Sequence, residues 1–521
     1  MDNEYKYFES INLFEEIAKN IKPEQKIITL SKNIDVKRDI IESIIPAKAL
    51  IDWAEEISKI MKQKGLTFGD KVLLIPASTP ISIAIFLALL KLGCITVFVP
   101  MRLLPNEIVR ISKYTKACYC FCSNEYSYLE DLTNQMSQTC PVSTLSISDL
   151  SEIDFKQKKH INTYDSRLNN YNVASILFTS GTTNRPKGIV LPSRAYITNA
   201  LQIGKHIKLT SQDTFLQVLP LYYIAGQITA MVNSLLHGAN LVLCRKFNPE
   251  IILRAVQEVN ITVTNLVPTM ISRLINFMKE KEPHIKNSLK YKSNNLRLCL
   301  TGGAYCSEEK KQAFRDLLGT IVIEGYGSTE YGCGICLNPI EKPRPKSVGV
   351  PLYGHDLRIV DTEEHNIVFS TNRIGELEVR NSTSMLGYYS YSGKMDLKRD
   401  KRWRSTGDLA YIDEEGYVYI CGRTTDVIKR GGEKIFAGEI EEVLQKYPEV
   451  KDVAVIGVPD DDLGERPIAF LTGIDNNSQI KGIKEWVKSQ LPYYRQPELK
   501  FINAMPLTPS GKISKNILKK L

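Results

Sequence analysis

The sequence predicts an α/β fold in which helices cover parallel β-sheets. Through most of the first 360 residues, short apolar runs rich in β-branched residues alternate with longer stretches of helical periodicity, and this alternation is typical of parallel sheets whose strands are connected by helices. The predicted strands of this region are residues 72–75, 95–99, 175–178, 214–218, 240–244, 262–266, 296–301 and 321–324. The predicted helices between them include residues 47–63, 193–207 and 249–259.

The chain of 521 residues is too long for one hydrophobic core, so two or more domains are expected. From about residue 345, strand patterns cluster with glycine turns, as in residues 375–380 and 417–420, which predicts a β subdomain. Residues 424–521 then show strands and two helices, 437–446 and 479–490, the size of a small α+β domain. We therefore predict an N-terminal domain over residues 1–423 and a C-terminal domain over residues 424–521.

The composition and the net charge indicate which kinds of partner the protein is expected to bind. Hydrophobic residues make up 43% of the chain and charged residues 24%, as in ordinary globular proteins. The net charge of +9 suits anionic ligands such as nucleotides. No nucleic-acid-binding module is recognisable, so nucleic acid is not an expected partner.

The cysteines, the N-terminus and the apolar segments indicate in which cellular compartment the protein is expected. Eleven cysteines are spread along the chain, and Cys118, Cys120 and Cys122 alternate as on one face of a strand. Cys333 and Cys336 have the spacing of a metal or redox pair, but no second pair accompanies them. The polar N-terminus is unlike a signal peptide, and charged or small residues interrupt the apolar stretch 81–99. We expect free thiols, a cytoplasmic location and no integral membrane segment.

Residues 178–188 are the most informative segment of the sequence. The loop combines glycines with the hydroxyls of Thr179, Ser180, Thr182 and Thr183 and ends at Lys187, between two apolar runs. Glycine lets backbone N–H groups turn toward an anion, and hydroxyls and a lysine add further donors. The pattern favours a phosphate-binding loop over a polar hairpin turn. It is not a Walker loop, because no Gly-Lys-Ser/Thr run opens a helix there.

This loop resembles the phosphate-binding signature of the acyl-adenylate-forming superfamily, which includes acyl-CoA synthetases and the adenylation domains of peptide synthetases. Further motifs follow in the family's order across nearly the whole chain. The resemblance implies a large N-terminal domain and a small, mobile C-terminal domain that rotates between two half-reactions. It also implies ATP, Mg²⁺ and coenzyme A as cofactor and cosubstrates.

Two glycine-rich segments carry the resemblance beyond the loop. Residues 301–306 follow an apolar run, and Gly302 and Gly303 allow a flat ring to lie against bare backbone. Residues 324–332 match the family's Gly-Tyr-Gly-x-Thr-Glu motif. In that motif Tyr326 can stack on adenine, Thr329 can donate to the α-phosphate, and the carboxylate of Glu330 suits Mg²⁺.

The C-terminal motifs are similar to the family's, with some departures. Residues 403–409 contain Asp408, a carboxylate suited to ribose hydroxyls, and Arg423 is expected to bind the ribose or a phosphate. The family's pivot residue is commonly Asp or Lys and is Thr425 here. Lys512, in a Pro-Leu-Thr-x-x-Gly-Lys match, is expected to bridge carboxylate and α-phosphate oxygens during adenylation.

The resemblance thus assigns four groups of residues. Those expected to be catalytic are Thr329, Glu330 (also the metal ligand) and Lys512. Those expected to bind ATP or AMP are Thr179, Ser180, Gly181, Thr182, Thr183, Lys187, Gly302, Gly303, Ala304, Glu324, Gly325, Tyr326, Gly327, Thr329, Asp408, Ile420 and Arg423. The acyl pocket is expected at Tyr222, Tyr223, Gly226 and Gly302. The coenzyme A tunnel is expected at Lys429, Arg430, Gly431 and Gly432.

The acid itself is constrained only in class. Tyr223 stands where many CoA ligases carry His, and residues 215–248 contain no Asp or Glu to pair with the ammonium of an α-amino acid. We expect an uncharged or anionic acid that is short, branched or aromatic. Two alternatives stay open, namely transfer to the phosphopantetheine of a carrier protein instead of coenzyme A, and a non-catalytic AMP- or acyl-binding protein. The sequence leaves the oligomeric state open.

Overall fold

A computed structural model describes most of the chain. The described residues are 12–32, 39–63, 65–136, 140–144, 173–179, 187–281, 295–364, 366–368, 370–389, 403–474, 477–507 and 513–521. Five of the candidate site residues lie outside these ranges, namely Ser180, Gly181, Thr182, Thr183 and Lys512. For Thr179 and Lys187 the backbone alone is described.

The elements alternate as an α/β protein requires through the first 340 residues. The strands are β1 (Lys26–Leu30), β2 (Ile41–Pro46), β3 (Lys71–Ile75), β4 (Ile95–Phe98), β5 (Tyr119–Cys122), β6 (Val142–Thr144), β7 (Val173–Thr179), β8 (Lys187–Pro192), β9 (Thr214–Gln217), β10 (Asn240–Leu243), β11 (Val263–Leu266), β12 (Leu298–Gly302), β13 (Ile321–Ser328) and β14 (Cys333–Leu337). The helices are α1 (Leu13–Asn20), α2 (Ala47–Gln63), α3 (Pro80–Lys91), α4 (Pro105–Thr115), α5 (Leu129–Met136), α6 (Ser193–His206), α7 (Asn233–His237), α8 (Pro249–Glu258), α9 (Pro268–Lys281) and α10 (Glu308–Leu318).

Strands dominate the remainder of the chain. They are β15 (Val350–Pro351), β16 (His355–Val360), β17 (Ile367–Val368), β18 (Gly375–Asn381), β19 (Gly387–Tyr389), β20 (Arg404–Ile412), β21 (Val418–Arg423), β22 (Val427–Arg430), β23 (Glu433–Phe436), β24 (Asp452–Asp460), β25 (Gly464–Thr472) and β26 (Glu498–Phe501). The helices of this part are α11 (Ala437–Gln445), α12 (Asn477–Gln490) and the short α13 (Lys515–Leu518).

The chain forms two compact units. The first comprises Met1–Pro343, Leu352–His355 and Asn381–Lys401, and the second comprises Arg344–Pro351, Asp356–Arg380 and Arg402–Leu521. The strands from residue 356 to residue 423 thus belong mainly to the second unit. The domain boundary at residue 423 stays a prediction, because compactness does not say which segments rotate.

Two helix-covered sheets build the first unit. One contains strands in the order β14-β13-β12-β11-β9-β10-β1-β2, and the other in the order β19-β8-β7-β4-β3-β5-β6. Most neighbouring pairs are parallel, including β9 with β11, β11 with β12 and β12 with β13. Helix α3 is apolar on every face and almost wholly buried, as expected of a helix inside the core. The α/β class predicted from the sequence is confirmed.

Two mainly antiparallel sheets build the second unit, in which β26 pairs in parallel with β25. The first has the order β17-β16-β18-β20-β21, and the second has the order β23-β22-β25-β24, with β26 paired to β25. In the latter, β24 and β25 form a hairpin paired from Asp452↔Thr472 to Asp460↔Gly464. This part of the unit has a core of its own, formed by buried residues of β22, β23, β24, α11 and α12.

Most predicted elements agree with the structure to within a few residues. The predicted helix 47–63 is α2, Ala47–Gln63, and the predicted strand 214–218 is β9, Thr214–Gln217. Strand β13 continues to Ser328, four residues beyond the prediction, because its glycines allow close pairing with β14. Strands β1 and β2 and a π-helix over Gly226–Val232 were missed.

Candidate active site

The carboxyl ends of β12 and β13 bring two glycine-rich motifs together. The parallel register pairs Thr301 with Glu324 and Gly302 with Gly325. A Cβ added to Gly302 would lie 2.6 Å from the carbonyl oxygen of Gly325, so no other residue fits there without displacing the neighbouring backbone. The segment that follows Gly302 is exposed, and Gly303 has φ +78°. The structure therefore places the predicted adenine-binding segments, residues 302–304 and 324–327, side by side.

The Thr-Glu turn follows directly from β13. Residues Thr329–Tyr331 form one 3₁₀ turn, which ends at Gly332 with φ +82°. Thr329 and Glu330 are half-buried and so can reach a ligand. The hydroxyl of Tyr388, on β19, lies 3.4 Å from Oε1 of Glu330. Sequence reasoning missed Tyr388, because its partner lies 58 residues away in the chain.

The side chain of Glu324 is buried and bonded to other groups of the protein. Its carboxylate is 5% exposed, and Oε2 lies 2.9 Å from Nζ of the equally buried Lys311 on α10. The backbone N–H of Cys306 donates to Oε1 over 3.4 Å. The predicted contact of Glu324 with the nucleotide stays a prediction. The structure adds Lys311, which ties α10 to the adenine-binding segment and which sequence reasoning missed.

The two strands that flank the phosphate loop form an antiparallel pair. The register runs from Val173↔Pro192 to Thr179↔Lys187. Strand β7 also pairs in parallel with β4, through Phe98↔Leu177, so the loop and the segment after β4 leave the same edge of the sheet. Residues 180–186 lie outside the described ranges, and their role in binding phosphate stays a prediction.

The two tyrosines of the predicted acyl pocket contact each other with their rings tilted by 55°. Their ring centroids are 4.7 Å apart, and the guanidinium of Arg102 lies 5.9 Å from the centroid of Tyr222 and 5.7 Å from that of Tyr223. Arg102 also donates to the hydroxyl of Tyr223. Burial raises the pKa of Tyr222, so its hydroxyl is neutral at pH 7. Arg102 follows the carboxyl end of β4, a signal that could have identified it.

Gly226 has a packing role. A Cβ at this position would lie 2.7 Å from the carbonyl oxygen of Leu219 and would also clash with that of Pro220. The residue begins the π-helix Gly226–Val232, whose residues are all buried. Such π-helical turns are rare and are frequent near functional sites. Whether Gly226 also lines the acyl pocket stays a prediction.

In the second unit, Asp408 and Arg423 lie on paired strands. They are register partners of β20 and β21, and Nε of Arg423 lies 2.8 Å from Oδ1 of Asp408. Asp408 is nearly buried whereas Arg423 is half-exposed, so the ion pair fixes a carboxylate at the surface of the sheet. Ile420 lies on β21 and is half-buried. This geometry suits a contact with ribose hydroxyls, the role that the sequence predicts.

The predicted pivot and tunnel residues follow this strand. Thr425 is exposed within the 3₁₀ turn Thr424–Asp426. Gly431 (φ +57°) and Gly432 (φ +86°) form the two-residue loop of the β22–β23 hairpin, flanked by the pair Arg430↔Glu433. Two positive φ angles are what a type I′ hairpin turn requires. The glycines therefore have a backbone reason to be there, in addition to the expected tunnel.

Neighbouring contacts orient the rest of the tunnel segment. The backbone N–H of Lys429 donates to Glu465 over 2.7 Å, and its side chain is exposed. Arg430 donates to the carbonyl of Tyr494 over 2.7 Å, and its guanidinium lies 5.9 Å from the ring centroid of Tyr493. The segment thus presents two cationic side chains.

The loop that carries Lys512 is described only at its two ends. Leu507 and Ile513 form an antiparallel bridge, and the N–H of Ser514 donates to Pro506 over 2.7 Å. The next residue, Lys515, lies 2.8 Å from Glu441 and 3.7 Å from Asp426. The ends of the loop are therefore closed onto each other and anchored close to Thr425. Lys512 lies outside the described residues.

The helix-covered parallel sheets, the glycine-rich strand ends and the Thr-Glu turn define an adenylate-forming enzyme. The sequence model of the AMP-binding enzyme family matches residues 48–389, and that of the AMP-binding enzyme C-terminal domain matches residues 439–512. The chain therefore belongs to the AMP-binding enzyme family.

Relatives over the whole length are CoA ligases. The 2-succinylbenzoate–CoA ligase of Bacillus pumilus is 30% identical over 478 residues, which cover 90% of this chain and 92% of the relative. The crotonobetaine/carnitine–CoA ligase of Shigella sonnei is 29% identical over 474 residues, covering 87% and 89%. The crystal structure of ATP-bound MatB from Rhodopseudomonas palustris superposes with a TM-score of 0.83 at 25% identity, covering 98% of both chains.

None of the helices in the described residues is both long and apolar enough to cross a membrane. The same residues contain no cluster of three or more His, Cys, Asp or Glu side chains suited to a metal. A family Mg²⁺ needs no such cluster, because it is usually bound by one or two carboxylates together with phosphate oxygens. Burial raises the pKa of Cys333 to about 11, which disfavours the thiolate that a metal would need.

Proposed function

We propose that this protein is an ATP-dependent acid–thiol ligase, which activates a small carboxylic acid as acyl-AMP and then transfers the acyl group to coenzyme A. The observation that carries the proposal is the shared edge of β12 and β13, where Gly302 and Gly303 adjoin the segment ending in Thr329 and Glu330. Its membership of the AMP-binding enzyme family and its full-length CoA ligase relatives support the same reaction.

In the first half-reaction a carboxylate oxygen of the acid attacks the α-phosphorus of ATP. The bond from that phosphorus to the bridging oxygen of the β-phosphate breaks, and pyrophosphate leaves. Negative charge on the phosphoryl oxygens has to be stabilised as the bond breaks. The hydroxyl of Thr329 and the ammonium of Lys512 are the donors for this charge, and one such donor contributes about 3–4 kcal/mol.

Glu330 is the residue that would hold Mg²⁺. It supplies hard carboxylate oxygens at a half-buried turn, with Oε1 within 3.4 Å of the Tyr388 hydroxyl, and so fits the ion. When bound, Mg²⁺ neutralises phosphate charge. Asp408 accepts hydrogen bonds from the ribose hydroxyls, while Arg423 pairs with its Oδ1 and fixes the carboxylate.

In the second half-reaction the thiol of coenzyme A attacks the acyl carbon, the anhydride bond to AMP breaks, and a thioester forms. We propose that residues 424–521 rotate about Thr425 between the two steps, withdrawing Lys512 and presenting the segment Lys429–Gly432 to the thiol arm. The side-chain-free hairpin loop Gly431–Gly432 and the exposed Lys429 support this assignment.

The acid is proposed to be short, branched or aromatic and to lack an α-ammonium group. A cation, Arg102, lies over the tyrosine pair, and residues 215–248 offer no carboxylate. An ammonium buried there would cost several kcal/mol.

Pyrophosphate release tests the proposal. The purified chain is incubated with MgATP and a library of carboxylic acids, and active acids are then assayed for thioester formation with coenzyme A alone. We expect release with at least one acid and a CoA thioester from it. Release without a CoA thioester would favour a carrier-protein acceptor, and no release with any acid would favour a non-catalytic binding protein.

A further inference from the structure

A segment distant in sequence supports the Thr-Glu turn from behind. The backbone N–H of Met385 donates to the carbonyl of Glu330 over 2.8 Å. The hydroxyl of Thr383 donates to the carbonyl of Tyr331 over 2.7 Å, and the side-chain amide of Asn381 reaches the same oxygen over 3.4 Å. Two successive carbonyls of the turn thus have their partners in one segment, residues 381–385.

Thr383 is the central member of this segment. It is fully buried, and its hydroxyl also lies 3.4 Å from Nε2 of the buried His355. The carbonyl of Thr383 faces Gly332, where an added Cβ would clash with it. Gly332 also has φ +82°, a conformation that glycine adopts readily. The turn and Thr383 therefore fit closely against each other, with no room for a side chain between them.

The turn has little internal support. Its described backbone hydrogen bond is from the N–H of Gly332 to the carbonyl of Thr329 over 3.2 Å, and a single 3₁₀ turn has weak hydrogen-bond geometry. A displacement of about 1 Å in a group that contacts reacting atoms can cost about a hundredfold in rate. Contacts that fix the turn therefore bear directly on Thr329 and Glu330.

We propose that Thr383 is a positioning residue for adenylation, which acts by holding the Thr329–Glu330 turn through its hydrogen bond to Tyr331. This inference rests on the proposed roles of Thr329 and Glu330 in binding ATP and Mg²⁺. Thr383 is fully buried, so we assign it no direct contact with substrate or metal. Its contribution is the fixed direction of the turn, so its loss should weaken the adenylation step and the binding of MgATP while sparing the thioester step.

Thr383→Val is the test, because valine keeps the shape of threonine and removes the hydroxyl. We expect acyl-AMP formation to fall by about 10- to 100-fold. Thioester formation from supplied acyl-AMP should stay within about threefold of the wild type. Isothermal titration calorimetry should show weaker binding of MgATP, a readout that does not depend on turnover. Thr383→Ser, which retains the hydroxyl, should restore both properties.

Thr264→Val is the matched control. Thr264 is 1% exposed on β11, and its hydroxyl donates to the carbonyl of Leu216 over 3.1 Å, so the same substitution removes the same kind of buried hydrogen bond. This variant should lose thermal stability without separating the half-reactions. If Thr383→Val also lowers both half-reactions equally, or if Thr383→Ser is as defective as Thr383→Val, the positioning role is wrong.

The proposed function can fail independently of this inference. If the wild type releases no pyrophosphate with any acid, the ligase reaction is wrong, whereas the MgATP titration still compares Thr383→Val with Thr264→Val. Unchanged MgATP affinity in Thr383→Val would then overturn the positioning role by itself. Should Thr383→Val fail to fold, Thr383→Ser is the test. Wild-type adenylation is expected of it, and a loss of adenylation alone would show that the hydroxyl does not hold the turn, which would overturn the proposal.

Discussion

The substitution Lys311→Met should destabilise the first unit because it leaves a buried carboxylate without its cation. Nζ of Lys311 lies 2.9 Å from Glu324, and the two side chains are 4% and 5% exposed. Methionine retains the apolar stem and removes the charge. Glu324 then keeps one N–H donor, that of Cys306 at 3.4 Å. Removing one partner of a buried ion pair costs about 3–5 kcal/mol, which corresponds to a loss of roughly 4–6 °C in melting temperature for a unit of this size.

Thermal melts of the wild type and three variants test this reasoning. Lys310→Met, on the same helix, is the control and should melt close to the wild type. The double variant Lys311→Met with Glu324→Gln should be more stable than Lys311→Met alone, because it removes the unpaired charge as well. A melting temperature for Lys311→Met equal to that of Lys310→Met, or a double variant no better than the single one, would refute the argument.

The same pair has a defined pH dependence. Burial opposes the charge of Lys311, but the nearby carboxylates of Glu324 and Glu308 outweigh it and raise the pKa of Lys311. A lysine pKa that is higher in the folded state contributes stability below its ordinary value, and this is lost as the pH rises through the folded value. The difference between wild type and Lys311→Met should therefore persist at neutral pH and shrink in strongly alkaline solution. It should also shrink in acid, because burial raises the pKa of Glu324 and its protonation removes the charge that the variant leaves unpaired.

Three further predictions concern the reaction. Lys512→Ala should raise the barrier to acyl-AMP formation by about 3–5 kcal/mol, with thioester formation from supplied acyl-AMP much less affected; equal loss in both assays would contradict its role. Gly432→Asn should slow the thioester step, because a side chain narrows the expected tunnel, while sparing adenylation, because asparagine tolerates positive φ. Gly416→Asn, at φ +83° and with equally open space for a Cβ, is the control, and equal behaviour of the two would argue against the tunnel. Free α-amino acids should be poor substrates in pyrophosphate exchange, because Arg102 repels an ammonium; robust exchange with a common α-amino acid and none with simple acids would show otherwise.

The sequence predicted the parallel-sheet region well because its strands are buried on both faces. Nearly continuous apolar runs such as residues 72–75 and 95–99 have few alternatives once helical stretches alternate with them. The π-helix Gly226–Val232 was missed because seven residues are too few to distinguish its period from that of an α-helix. Strand β2 was missed because its apolar residues do not follow the alternation of burial, since Ser43 is half-buried and Ile44 is exposed.

The residues of the candidate site also divide into those that could be found from the sequence and those that could not. Motifs that are contiguous in sequence, such as residues 324–330, could be found directly, and the register of β12 and β13 shows why two of them lie together. Residues that act through the tertiary structure could not be found. Lys311, Thr383 and Tyr388 each contact a motif through a side chain 13 to 58 residues away, and a single sequence contains no signal for such pairs.

The motif glycines show how the fold and the site depend on the same residues. Gly302, Gly325 and Gly327 are each required by a neighbouring backbone or side chain, since a Cβ on any of them would overlap β13, β14 or Cys333. Close strands leave a bare peptide edge, and a bare edge is what a flat ring or a phosphate can approach. The glycine pattern therefore does not separate packing from binding. The Thr329–Glu330 turn provides that separation, because its half-buried polar side chains are not needed for the close approach of β13 and β14, and it is the part of the motif whose substitution tests catalysis most directly.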